Sequence, residues 1–410
     1  MFYGRIRFNK NKIKSIKKEL ISIRRDIHSN PELSNEEFRT MELISKYLTS
    51  HNIRHRTKSA GTGIIADIDG IDKKFTVAFR ADIDALPIED LKYCDYASKN
   101  KGVCHACGHD VHTAINMGIA NIFSNSSENK EKIIPPCNVR LIFQPAEETT
   151  GGAFRMIKDN ALENVNVIYG LHVSSNADIG YIQINDNIVN ASCLDFIIRV
   201  YGRSSHGANP SGGVDAIVIA SKIINDLQTV ISRNIAAEDS AVITVGTING
   251  GTATNIICDY VEMTGTIRAL KESIMEKVKL RIKKMIKFVA NSFDGDAEFI
   301  ETVYFASLVN WKDASNIVRE NASKLLGENK VLELSPSLGS EDFSFFVQNK
   351  PGAFFYLGAR NEKKGIVYKA HNGLFDVDEN CIEIGLMLQI MNLYKSYLEK
   401  DLFYIGKERN

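Results

Sequence analysis

Apolar residues recur every three or four positions at Ile13, Ile16, Leu20, Ile23 and Ile27, the period of one buried face of an α-helix. The basic residues around them (Arg5, Arg7, Lys10, Lys12, Lys14, Lys17, Lys18) read as the solvated side of that helix, with a targeting segment as the alternative. Pro31 interrupts the pattern, and Ser34 followed three residues later by Glu37 predicts a capping box opening a second helix. Short β-rich runs follow at 64–68 and 75–79. An apolar, small-residue helix is predicted over 111–123, and buried strands over 139–143 and 167–171. Helices alternating with continuous apolar strands predict an α/β fold whose sheet is covered on both faces.

The middle of the chain has a different rhythm. A strand over 194–201 precedes a helix over 214–231, with Ile217, Ala220, Ile224, Leu227 and Ile231 on one stripe. Strands over 241–248 and 256–267 are joined through Asn249-Gly250-Gly251, a hairpin-type connection. A helix then carries Ile274, Val278, Ile282, Met285 and Val289 on one face, and a strand lies near 298–304. The order β-α-β-β-α-β is that of a ferredoxin-like unit. Residues 191–306 are therefore read as a satellite domain inserted into a first domain built from 1–190 and 307–410. That first domain resumes with a helix near 312–326, a strand over 353–357 and a final helix over 379–399.

Composition narrows the class. The 410 residues are 44% hydrophobic and 24% charged, which excludes disordered and collagen-like chains. Fifty basic residues balance fifty acidic ones, so global charge favours neither nucleic acid nor an anionic membrane as partner. Seven scattered cysteines without a secretory signal read as free thiols of a cytoplasmic protein.

The densest chemical signal is His105-Ala-Cys107-Gly-His109-Asp110-Val-His112. Cys107 and His109 are two apart, so in an extended loop thiolate and imidazole point the same way and can share one ion. The second signal is Gln144-Pro145-Ala146-Glu147-Glu148, directly after an apolar strand. Carboxylates there sit where open α/β sheets place ligands; one can ligate a metal while the other takes a proton from water. His172 closes the strand over 167–171, and His371 follows a short strand-like stretch. Alone, each fits a structural role; together they complete the donors of a paired-metal site, whose ions stand about 3.5–4 Å apart. Cys, Glu and three His suit Zn, Mn, Co or Ni. His206, in Gly202-Arg203-Ser204-Ser205-His206-Gly207-Ala208, fits either a surface residue or a donor to an oxyanion.

Taken together these motifs resemble the M20 metallopeptidase family, in its amidohydrolase branch. The resemblance runs in order from His28-Ser-Asn-Pro31-Glu32-Leu33 and Arg80-Ala-Asp82-Ile-Asp84-Ala-Leu-Pro87 through the two signals above. It continues through Gly170-Leu-His172-Val, Ser204-Ser-His206-Gly-Ala-Asn-Pro210 and Gly265-Thr-Ile-Arg268 to Gly339-Ser-Glu341-Asp342-Phe343 and His371. It implies a zinc-peptidase-like catalytic domain with a mixed central sheet flanked by helices, plus a ferredoxin-like α+β satellite that mediates dimers. By resemblance, Cys107, His109, Glu148, His172 and His371 hold two divalent ions, and Glu147 is the general base. His206 stabilises the oxyanion, Asn255 and Arg268 contact a substrate carboxylate, and Asp82 and Asp110 orient the ligating histidines. Val-Ser-Ser after His172, where the branch often has proline, and the additional thiol Cys104 depart from the pattern.

The expected activity is metal-dependent hydrolysis of the amide bond in N-acyl amino acids or similar small conjugates. Metal-activated water attacks, and Glu147 moves the proton. The alternatives are an N-acetyldiaminopimelate deacetylase, a small dipeptidase, a non-catalytic binder of acyl amino acids, and a redox protein using Cys104 and Cys107. A homodimer with no nucleic-acid or membrane partner completes the expectation.

Overall fold

The computed structural model describes residues 10–124, 133–149 and 151–404. Arg5 and Arg7 of the basic start lie outside the described residues. The amphipathic first pattern forms the helix Lys10–Ser29, burying Ile13, Ile16, Leu20 and Ile27. The second helix, Phe38–Ser50, starts without the expected capping box. Glu32 caps it instead, its carboxylate accepting the N–H groups of Arg39 and Thr40, both at 2.8 Å. Ser34 and Glu37 are drawn into tertiary bonds: Ser34 donates to Asp84 at 2.7 Å, and Glu37 accepts the Ala146 N–H at 2.9 Å.

The chain divides into two compact units. The first comprises Met1–Asn187, Val309–Ser335 and Phe345–Asn410, and the second Ile188–Leu308 with Pro336–Ser344. The second unit thus takes in a short segment that the sequence reading leaves with the first. Among the described residues no helix is long and apolar enough to cross a membrane.

The first unit is built on an eight-stranded mixed sheet flanked by helices. Its strands run in the order Arg54–Ser59, Gly63–Ile68, Cys137–Gln144, Asp72–Asp82, Val167–Asp178, Gly352–Arg360, Ile182–Ile184, Val331–Glu333. The four central strands, from Cys137–Gln144 to Gly352–Arg360, are mutually parallel. That explains their near-continuous apolar runs, buried on both faces. The helix His109–Ile122 is buried along its whole length. It packs closely because Gly118 has no side chain: a Cβ there would lie 2.9 Å from both Leu20 and Leu386. Lys312–Leu326 and Asn380–Leu398 are the helices expected after the insertion.

The second unit has the four-stranded antiparallel sheet order Ala241–Gly250, Tyr260–Ala269, Ser192–Tyr201, Asp296–Phe305. Helices Ala216–Asn234 and Glu272–Asn291 fill the β-α-β-β-α-β order. Two expectations are corrected here. The first helix buries Ala216, Ile219, Ala220, Ile223, Leu227 and Val230, while Ile217 is 46% exposed. Its apolar residues are dense enough to define two overlapping stripes, and packing on the sheet selects the other one. The connection after Gly250 is also no tight hairpin. Ile256–Ile257 leaves the main sheet and pairs with Ser205–His206, so the strand starts again only at Tyr260.

Candidate metal centre

The geometry of the site begins with Gly108. It has φ +90° and caps the helix whose first residue is His109. A left-handed bend, rather than the expected extended loop, therefore turns Cys107 and His109 toward one another. The space is as restricted as the dihedral: a Cβ on Gly108 would lie 2.3 Å from Val173. A second strained turn delivers the carboxylates. Ala146 has φ +53° after the strand Cys137–Gln144, held by Glu37 on its N–H and by Gly152 on its carbonyl. Glu147 and Glu148 follow at once, where such strain is expected to serve function.

Ligand atoms of Cys107, His109 and His172 lie within 4.8 Å of one another, as do those of Cys107, Glu148 and His371. His109, Glu147 and Glu148 form a third such group. Cys107 Sγ is 3.2 Å from His172 Nε2, and Glu148 Oε1 is 3.8 Å from His109 Nε2 and 3.5 Å from His371 Nε2. His172 lies within the strand Val167–Asp178 instead of closing it, opposite Tyr356. His371 lies in a loop with φ +64°, not beside a strand, and its backbone N–H donates to Ala106 at 2.9 Å.

The tautomers follow from the partners, because a carbonyl oxygen only accepts. His109 Nδ1 donates to the Asp84 carbonyl at 2.9 Å and His172 Nδ1 to the Val173 carbonyl at 2.7 Å. Both imidazoles thereby turn their Nε2 lone pairs into the cluster. Among the described residues, His109 Nε2 and Glu148 Oε1 are buried without a hydrogen-bond partner. Buried polar atoms left without a hydrogen bond fit a cation, the proton on His109 being displaced where a metal binds.

The surrounding carboxylates favour a cation here, whether a proton on His109 or a metal ion that takes its place. Burial works against charging His109, but Asp82, Asp84 and Glu148 outweigh it and push this imidazole up to about 10. Burial, reinforced by the charge of His112, holds His172 down at about 3. Burial and the neighbouring carboxylates Glu148 and Glu147 push the Cys107 thiol up; a bound cation reverses that logic and stabilises thiolate. The donors lie among several carboxylates, and Cys, His and carboxylate together suit a borderline divalent ion.

The expected orienting groups divide. Asp82 Oδ1 accepts from His112 at 2.6 Å, while its Oδ2 pairs with Arg80 at 2.6 Å and stands 3.6 Å from His109 Nε2. The Oδ2 of Asp110 lies 2.7 Å from both His28 Nδ1 and Arg24 Nε, neither of which is a candidate ligand. The residue that orients His109 is Asp84, which the sequence reading quotes in a motif without assigning it a role. Besides its carbonyl bond to His109, its Oδ2 accepts the Glu148 N–H at 3.1 Å. The alternation Asp82-Ile-Asp84 was the available signal.

In the second unit, His206 pairs with Ile256, and the Gly207 N–H donates to the Asn255 carbonyl at 2.7 Å. His206 and Asn255 are thus neighbours. The His206 ring is exposed and its Nδ1 accepts the Ala208 N–H at 3.1 Å, which leaves Nε2–H as a donor in the neutral ring. Arg268 lies on the strand Tyr260–Ala269 opposite Cys193, and its guanidinium donates to the Leu338 carbonyl at 2.8 Å. Cys104 sits in a backbone bridge to Leu86, and burial pushes its thiol up to about 11, a poor setting for a reactive thiolate.

A mixed sheet with Cys, His and Glu donors gathered around its parallel strands defines a metallohydrolase. The family model for "Peptidase family M20/M25/M40" matches residues 78–392, and the chain belongs to this family. Thermostable carboxypeptidase 2 of Saccharolobus solfataricus is 38% identical over 92% of this chain and 95% of its own length. N-acetyl-L-cysteine deacetylase of Bacillus subtilis is 35% identical over 90% of this chain and 86% of its own. A crystal structure of a dinuclear metal-binding M20 peptidase from Bacillus subtilis superposes with a TM-score of 0.80. It is 30% identical and covers 94% of this chain and 99% of that one. The protein is a metal-dependent amidohydrolase or peptidase.

Proposed function

We propose that the protein hydrolyses the amide bond of N-acyl amino acids or similar small conjugates. The observation that carries this reading is the convergence of Cys107, His109, Glu148, His172 and His371 in two overlapping donor groups, with Glu147 beside them. These five residues would hold two divalent ions, Mn or Zn, with Co or Ni as alternatives. When bound, such ions supply Lewis acidity toward the carbonyl and lower the pKa of water.

Glu147 takes the proton of the attacking water as the new C–O bond forms. It then returns that proton to the leaving nitrogen as the C–N bond breaks, releasing a carboxylate and a free amino acid. His206, whose exposed Nε2–H is a donor, would stabilise the oxyanion that develops on the carbonyl oxygen. Asn255 and Arg268 would hold the substrate carboxylate. A cytoplasmic homodimer accompanies the proposal. The outer edge of Ala241–Gly250, paired on one side only in its sheet, is the kind of edge a second copy covers.

A second reading, cleavage of short peptides from the carboxyl end, draws on the carboxypeptidase name of a relative 38% identical to this chain. One panel separates them: N-acetyl, N-benzoyl and longer N-acyl amino acids, N-acetyldiaminopimelate and dipeptides. Each is offered to chelator-stripped protein reloaded with Mn, Zn, Co or Ni. Metal-restored release of amino acid from the acyl substrates supports the proposal. Cleavage of peptides alone favours the second reading, and silence across the panel from folded protein contradicts both.

A further inference from the structure

Around the buried Arg24 lies an ionic cluster that the reaction does not use. Arg24 is fully buried, with Asp110 Oδ2 at 2.7 Å, Asp376 Oδ1 at 3.0 Å and Glu379 Oε1 at 3.4 Å. Glu379 already has a partner, since Arg25 grips it through two bonds of 2.7 Å. Arg24 therefore chiefly serves Asp110 and Asp376. Helical spacing of four brings His28 to the same carboxylate, with its Nδ1 2.7 Å from Asp110 Oδ2. Tyr96 closes the other end: its hydroxyl donates to Asp376 Oδ2 at 2.6 Å, and its ring centroid lies 5.0 Å from the Arg24 guanidinium.

The two carboxylates belong to the two segments that bring the candidate ligands together. Asp110 directly follows His109 and is three residues past Cys107. Asp376 is five residues past His371, in a loop tied down by bonds from His371 to Ala106 and from Leu91 to Gly373. His371 holds a left-handed conformation at φ +64°. A residue with a Cβ keeps that conformation only where its surroundings enforce it. The loop is thus anchored upstream by the Ala106 carbonyl and downstream by Asp376.

We propose that Arg24, acting through Asp110 on one side and the Asp376–Tyr96 pair on the other, is a positioning residue. It sets the His371 loop against the helix carrying His109 and thereby fixes the affinity of the ion shared by Cys107, Glu148 and His371. The inference rests on the dinuclear reading above. Groups behind the ligands commonly contribute a factor of about 10 to 100 in metal affinity. Here the lever is longer, because the clamp fixes a loop rather than a single ring.

Arg24→Met is a poor test, since it leaves the buried Asp110 charge with only the His28 imidazole beside it. D376N and Y96F remove one anchor each while Arg24 keeps its other partners. The measurement is calorimetric titration of chelator-stripped protein with Zn²⁺ or Co²⁺, folding being checked by circular dichroism. Wild type is expected to bind two ions. D376N is expected to bind one of them at least tenfold more weakly and the other unchanged, with D376E restoring most of the loss and Y96F showing a smaller loss in the same ion. Folded D376N and Y96F that bind both ions as wild type does would overturn the clamp while leaving the dinuclear reading intact. A wild type that binds no ion would overturn both.

Discussion

His112 donates its Nδ1–H to Asp82 across 2.6 Å, and its Nε2 accepts the Val173 backbone N–H at 2.9 Å. One imidazole thus ties the end of the strand Asp72–Asp82 to the residue after His172 on the neighbouring strand. Both ring nitrogens are occupied, so His112 is a strut beside the donors and not one of them. In H112A the carboxylate loses that partner and the Val173 N–H is left buried. The expected cost is about 1–3 kcal/mol in stability, read by denaturant unfolding, together with metal binding weakened about 10- to 100-fold. Wild-type affinity in a folded H112A would confine the residue to structure.

The satellite helix offers a sharper comparison. Ile219 is fully buried and Ile217 is 46% exposed, although the two are adjacent in apolar pattern. I219A is expected to lose about 2–5 kcal/mol, whereas I217A should stay within about 0.5 kcal/mol of wild type. Urea unfolding of the two variants checks this, and equal losses would contradict the packed stripe described here.

The start of the second helix makes a third case. Glu32 caps two N–H groups that have no partner within the helix, so E32A should cost about 1 kcal/mol. A thermal unfolding midpoint equal to that of wild type would show that water serves those groups equally well.

Much of the fold was legible because periodicity is local. The central strands, the helices Lys312–Leu326 and Asn380–Leu398 and the β-α-β-β-α-β order all follow from runs of 3.6 or continuous apolar character. The misreadings share a cause, which is that tertiary partners outbid local signals. Ser34 and Glu37 have capping-box spacing, yet Asp84 and the Ala146 N–H claim their side chains. Residues 256–267 read as one strand because Ile256, Ile257 and the following apolar positions form one run. Only the pairing of Ile256–Ile257 with Ser205–His206 divides it. Asp110, adjacent to His109 in the chain, reads as a group that orients it, while Asp84 carries no role in the sequence. After the left-handed Gly108, Asp110 faces Arg24 and His28, and the His109 ring bonds to the Asp84 carbonyl. No pattern of residue types shows that dihedral.

The central claim is that Glu147 moves the proton while its neighbours hold the metal. Hydrolysis of an N-acyl amino acid should be compared in wild type, E147Q and H109A, with bound metal quantified in the same preparations. The account predicts that E147Q keeps its metal and loses turnover by a factor of about 10² to 10⁴, while H109A loses metal itself. Near-normal turnover in metal-loaded E147Q would contradict it.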